Sequence, residues 1–102
     1  MKKYTILFLL ALLSIPSFGQ IMKGFVYDKE TNEPLAGVNI TFKRISGETN
    51  GTISEADGSY QINLPEGGVD LLFSYIGYEN ELVPLVLNRG DVKVKDIRMH
   101  IQ

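Results

Sequence analysis

Hydrophobic and polar positions along the chain fall into two regimes. The first is one unbroken apolar run from Ile6 to Leu13, with Lys2 and Lys3 before it and Pro16, Ser17 and Gly19 after it. The second, from Gln20 onward, is a series of short stretches rich in β-branched and aromatic residues. Turn-forming groups separate them: Glu33-Pro34, Ser46-Gly47, Asn50-Gly51, Asp57-Gly58, Pro65-Glu66-Gly67-Gly68, Gly77 and Asn88-Arg89-Gly90. No part of this second regime sustains a helical repeat, and closely spaced turn signals between short strands predict an all-β fold.

Seven strands are predicted, over residues 21–28, 38–45, 52–54, 59–64, 69–76, 81–87 and 92–101. In the second, Val38, Ile40 and Phe42 share one face and Asn39, Thr41 and Lys43 the other. Tyr60, Ile62 and Leu64 are expected to point inward. Leu71 and Phe73 on one face, with Leu72 and Ile76 on the other, mark 69–76 as a central strand. Asp57-Gly58 predicts a tight hairpin, because glycine supplies the positive φ such a turn requires. A last hairpin is expected around Asn88-Arg89-Gly90. The final strand is apolar at Val92 and Val94 and then at Ile97, Met99 and Ile101. These sets have opposite parity, so sharing one face requires an extra residue, and a β-bulge is expected near Lys95-Asp96.

The opening run changes the picture of the domain. A basic start, a short apolar core and small residues at the end describe a secretory signal peptide helix over 1–19, with cleavage between Gly19 and Gln20. The run is too short to span a bilayer, which takes about 20 apolar residues. Residues 20–102 then form one small domain, exported to the periplasm, the cell surface or the medium, with no membrane span in the mature chain. Without Lys2 and Lys3, eight basic residues stand against twelve acidic ones. That mild acidity argues against nucleic acid. The chain has no cysteine, so neither disulfides nor a lipid-modified amino-terminal cysteine is expected, and a free exported product follows.

Three stretches, "GFVYDKETNEPLAGVNITF", "GTISEADGSYQINLP" and "LLFSYIGYE", resemble the carboxypeptidase-regulatory-like domain. Gly24, Val26, Asp28, Thr31, Glu33, Pro34, Leu35, Gly37, Val38, Gly51, Thr52, Gly58 and Tyr60 match the family pattern in order. The resemblance implies a seven-stranded antiparallel β-sandwich of the transthyretin-like, Ig-like Greek-key kind. Similar domains occur beside metallocarboxypeptidases, ahead of the plug of TonB-dependent outer-membrane receptors of Bacteroidetes-type bacteria, and alone. Here the chain reads "VKVKDIRMHIQ" where a receptor runs on into its plug. A lone module, rather than a receptor, is therefore expected unless the chain is a fragment of that N-terminal extension.

Candidate chemistry is sparse. His100 is the one histidine and is expected at the surface, because Met99 and Ile101 beside it are expected to face the core. Glu55 and Asp57 faintly resemble a calcium loop, but the distal ligands of such a loop are missing. One histidine and no cysteine make a poor zinc set. Asn39-Ile40-Thr41 and Asn50-Gly51-Thr52 are formal glycosylation sequons without meaning in a bacterial product. No catalytic, cofactor or metal site is assigned, no cofactor is expected, and no binding residue is identified.

In "FSYIGYE" the sequence predicts a corner. Tyr75 continues the face of Leu71 and Phe73, Gly77 allows a bend, and Tyr78 is expected to bury its ring and return its hydroxyl to nearby backbone. The expected function is a non-catalytic module that binds another envelope protein. The alternative, a carbohydrate-binding module, requires tyrosines aligned on one exposed face, with Tyr27, Tyr75 and Tyr78 as the candidates.

Overall fold

A computed structural model describes residues 19–43 and 49–102. Most of the expected signal segment and the Ser46-Gly47 turn lie outside the described residues. Eight strands follow in order: β1 (Gln20–Asp28), β2 (Asn39–Lys43), β3 (Thr49–Ile53), β4 (Ser59–Leu64), β5 (Gly67–Ser74), β6 (Glu81–Leu87), β7 (Val92–Val94) and β8 (Ile97–Met99). They make two sheets. One has the order β4-β1-β7, with β8 continuing along the same side of β1; the other has the order β3-β2-β5-β6.

The two sheets form a sandwich because each presents an alternating apolar face to the other. In β1, Met22 and Val26 are wholly buried; in β5, Leu71 and Phe73 are. Ile40 and Phe42 of β2 face inward between exposed Asn39, Thr41 and Lys43, as the alternation predicts. Tyr60, Ile62 and Leu64 are buried along β4. The Tyr60 ring meets Phe73 of the opposite sheet edge to face, 5.4 Å between centroids, a favourable arrangement for two aromatic quadrupoles.

The strand connections differ from expectation in three places. Asp57-Gly58 does form a tight turn: Gly58 has φ 84°, and its N–H donates to the Glu55 carbonyl at 2.9 Å. The strands it joins, β3 and β4, belong to different sheets, so there is no hairpin. Likewise the Asn88-Arg89-Gly90 turn carries the chain from β6 in one sheet to β7 in the other. Gln20 anchors that crossing, accepting from the Gly90 N–H at 3.0 Å and donating its amide to the Leu64 carbonyl at 3.2 Å. Because β7 arrives from the opposite sheet instead of doubling back on β6, it lies parallel to β1, as does β8. The sandwich is therefore mixed rather than wholly antiparallel.

The bulge is the third correction. Both halves of the last segment keep one register against β1, Ile21↔Val92 before the break and Val26↔Ile97 after it, so no residue is gained. The two apolar sets simply occupy opposite faces. Ile97 and Met99 are buried, whereas Val92 and Val94 are 58% and 71% exposed.

What divides the last segment into β7 and β8 is a close approach at Gly24. A Cβ there would sit 2.1 Å from the Lys95 carbonyl oxygen. With Lys95 pressed against Gly24, the side chains of Asp96 and Tyr60 complete the local hydrogen bonding. The Asp96 carboxylate accepts the Phe25 N–H at 3.0 Å. Tyr60 of β4, paired with Gly24 of β1, donates its hydroxyl to the Lys95 carbonyl at 2.5 Å. Burial holds that phenol well above its ordinary pKa.

Gly77 does mark a corner. It has φ 86° in a turn closed by the Tyr78 N–H on the Tyr75 carbonyl at 3.1 Å. Nothing lies within 4 Å of where its Cβ would stand. Gly77→Val therefore carries backbone strain without a clash, about 1–2 kcal/mol. A thermal melt measures it; an unchanged melting temperature would contradict the strained turn.

Candidate functional site

The family-like motifs converge at one end of the sandwich. Asp28, the last residue of β1, is only 7% exposed. Its Oδ1 accepts the N–H groups of Glu30 at 2.8 Å and Thr31 at 3.0 Å, shaping the loop into Glu33-Pro34-Leu35. Its Oδ2 accepts the hydroxyl of Tyr78 at 2.5 Å. The Tyr78 hydroxyl thus goes to a buried carboxylate from the first motif, not to nearby backbone as expected. Tyr78 also packs against Tyr75, ring centroids 5.6 Å apart, and bridges Ile101 antiparallel.

Each group shifts the other. The Tyr78 hydroxyl, helped by the Thr31 and Glu30 N–H groups, brings the Asp28 carboxyl down to about 2. The carboxylate in turn raises the Tyr78 phenol to about 12. Asp28 is therefore held ionised as an acceptor of three donors, a structural clamp and not a proton-transfer group near neutral pH. Its folded pKa is depressed, so its contribution to stability is present in full above the ordinary value of 3.8 and fades as the pH falls through about 2. The melting temperature should drop over that acid window, and Asp28→Asn should flatten that part of the profile. Parallel profiles for both proteins would refute the clamp.

The remaining candidates are dispersed. His100 is exposed, its Nδ1 2.5 Å from Glu30 Oε1. Asp57 accepts the Ser59 N–H at 2.9 Å and hydroxyl at 2.6 Å, which lowers its pKa, and it serves the turn. Among the described residues no group of three or more His, Asp or Glu side chains could hold a metal ion. Asn39 is exposed on β2. The Asn50 amide donates to the Asn63 carbonyl at 3.3 Å. The three candidate tyrosines do not share a face. Tyr27 lies on the outer side of β1, opposite Asp28, stacked on Phe25 at 6.0 Å and covered by the Arg98 guanidinium at 5.3 Å.

Two surface features escaped the sequence reading. An open groove of about 600 Å³ spans β1, β4 and β7 of the first sheet and reaches β3 of the second, lined by Lys23, Phe25, Ile53, Gln61, Val94 and Asp96 among others. On the second sheet, Leu82 and Val86 of the edge strand β6 are 59% and 71% exposed. The signal for the first was present in Val92-Lys93-Val94-Lys95: apolar residues between lysines suit a strand with solvent on both faces.

The model of the CarboxypepD_reg-like domain matches residues 22–101. The TonB-dependent receptor SusC of Bacteroides thetaiotaomicron is 35% identical over 91 residues, covering 82% of this chain and 9% of the receptor. A TonB-dependent receptor of Formosa agariphila is 43% identical over 56 residues, 55% of this chain and 5% of the receptor. The chain thus spans less than a tenth of the length of these relatives. Among solved structures, the Bacillus anthracis TIE protein superposes with a TM-score of 0.68 at 13% identity, over 82% of this chain and 18% of that one. A 3-chlorocatechol 1,2-dioxygenase of Rhodococcus opacus gives 0.64 at 11% identity, over 87% and 62%. At such identities the likeness is one of fold alone.

Proposed function

Because the chain belongs to the CarboxypepD_reg-like domain family, we propose that it is a non-catalytic β-sandwich module that docks a protein partner in the bacterial cell envelope, as a lone module or as part of a receptor's N-terminal extension. The observation that carries this reading is how the motif residues are used. Gly24, Asp28 and Tyr60 are engaged inside the fold, while Ile53, Leu82, Val86, Val92 and Val94 expose apolar side chains on the edge strands β3, β6 and β7. The similarity to TonB-dependent receptors supports an envelope setting. Export belongs to the same proposal, on the strength of the basic start and short apolar run of residues 1–19.

Photo-crosslinking residues placed singly at Val94, Leu82 and Ile76 test the reading in an exporting cell. A discrete protein adduct is expected from a margin position, Val94 or Leu82, and none from Ile76, which projects from the corner at 95% exposure. Intact mass is expected to begin at Gln20. Crosslinks from no margin position, combined with calorimetric binding of an oligosaccharide, would replace this reading with the carbohydrate-binding one. Glycan binding would first have to lift Arg98 off Tyr27.

A further inference from the structure

We propose that the free edge of the first sheet, running from Val92 to Arg98, takes up an extended acidic strand of the partner polypeptide; this rests on the reading of the chain as a protein-binding module. Backbone groups of successive strand residues point to alternate sides. The Ile21 N–H donates to the Asp91 carbonyl at 3.0 Å, and the Lys95 N–H to the Lys23 carbonyl at 2.9 Å. Odd-numbered residues of this segment therefore face β1, and Val92 and Val94 turn their N–H and C=O groups outward. The alternation continues in β8, where the Met99 carbonyl accepts from the Lys29 N–H at 2.9 Å and Arg98 and His100 face out. Because no bulge intervenes, the outward positions keep one parity along the whole edge.

The far end of that edge is already occupied by the chain itself. The outward His100 carbonyl accepts the Glu79 N–H at 2.8 Å, and Tyr78 bridges Ile101 antiparallel. The edge thus accepts antiparallel backbone, and a partner strand would extend the same line toward Val92.

Other margins are less open. The margins of β3 and β4 are tied together by the Glu55 N–H on the Ser59 carbonyl at 2.8 Å and by the Asn50 amide on the Asn63 carbonyl. On β6 the alternation, traced from the Ser54 N–H on the Val38 carbonyl through the β2–β5 and β5–β6 registers, turns Leu82, Pro84 and Val86 outward. Pro84 has no N–H to offer at the middle of that margin, a common way to blunt an edge.

Side chains specify the occupant. Val92 and Val94 are exposed apolar contacts on the face that also carries Phe25, and Val94 opens onto the groove. The acidic neighbours are engaged internally, Asp91 with the Asn88 N–H at 2.8 Å and Asp96 with the Phe25 N–H. Lys93 and Lys95 have no ion pair among the described residues. A strand alternating β-branched residues with carboxylates satisfies both. Backbone bonds then supply the attachment, and the lysines and the groove supply the selection.

The probe is an acetylated seven-residue peptide alternating valine with glutamate, titrated into the isotopically labelled full chain and followed by amide NMR. Expected are shift changes and slowed exchange at the Val92 and Val94 amides, and binding at least tenfold weaker in the Lys93→Glu/Lys95→Glu double variant. Val94→Pro, which removes one outward N–H, should abolish binding while Val94→Thr preserves it; a melt of each variant confirms folding. Equal binding of a valine–lysine peptide, changes centred on Leu82 and Val86, or no binding at millimolar peptide would overturn the proposal. The crosslinking arms separate the two levels. An envelope adduct from Leu82 alone sinks this edge and leaves the docking module standing, whereas no adduct from either position sinks both.

Discussion

Gly24→Ala should cost about 3 kcal/mol or more, the upper range of overpacking penalties, and lower the melting temperature by more than about 10 °C in a domain of this size. The added methyl would stand 2.1 Å from the Lys95 carbonyl oxygen and 2.7 Å from its carbon. Both are backbone atoms, so no rotamer change relieves the contact, and β1 must separate from the last segment. That separation also pulls the Lys95 carbonyl from the Tyr60 hydroxyl and the Asp96 carboxylate from the Phe25 N–H. Against a total stability of about 5–15 kcal/mol, the loss is a large fraction. Urea denaturation with hydrogen exchange at the Lys95 amide measures it. A variant with native stability and a protected Lys95 amide would mean that the close approach can relax at little cost.

Phe73→Ala is the second large effect, about 3–5 kcal/mol for a buried aromatic ring reduced to a methyl. Phe73 is 0% exposed, next to the last residue of β5 and packed against Tyr60. Tyr75, two residues on, was expected to behave in the same way because it continues the same face. It lies past the end of β5, partly exposed and packed on Tyr78, so Tyr75→Ala should cost less, about 1–2 kcal/mol. Chemical denaturation of the pair orders them. Equal losses would show that the corner is packed as tightly as the core.

The alternation of Val38, Ile40 and Phe42, and of Tyr60, Ile62 and Leu64, was legible because it is local: one buried face and one wet face impose a two-residue period. The turns at Asp57-Gly58, Gly77 and Asn88-Arg89-Gly90 were legible for a similar reason, since they need glycine or short polar residues whatever surrounds them. The resemblance marked Asp28, Gly24 and Tyr60 as matching positions but not as members of two contacts. Those contacts join Asp28 to Tyr78 across 50 residues and Tyr60 to Lys95 across 35. Such separations carry no periodic trace in the chain.

Sheet membership was decided only in three dimensions. A turn specifies that the chain reverses, not which partner the departing strand will find. Strand β7 passes the edge of β6 and joins β1, where the Gln20 side chain holds the crossing. The same choice settles the faces of Val92, Val94, Ile97 and Met99. By itself the sequence determined an all-β domain with alternating faces and glycine corners, because those follow from steric preference and burial along neighbouring residues. The parallel partner of β1, the clamp at Asp28 and the edge left open at Val92 and Val94 belong to the tertiary structure, because each depends on backbone brought together from opposite ends of the domain.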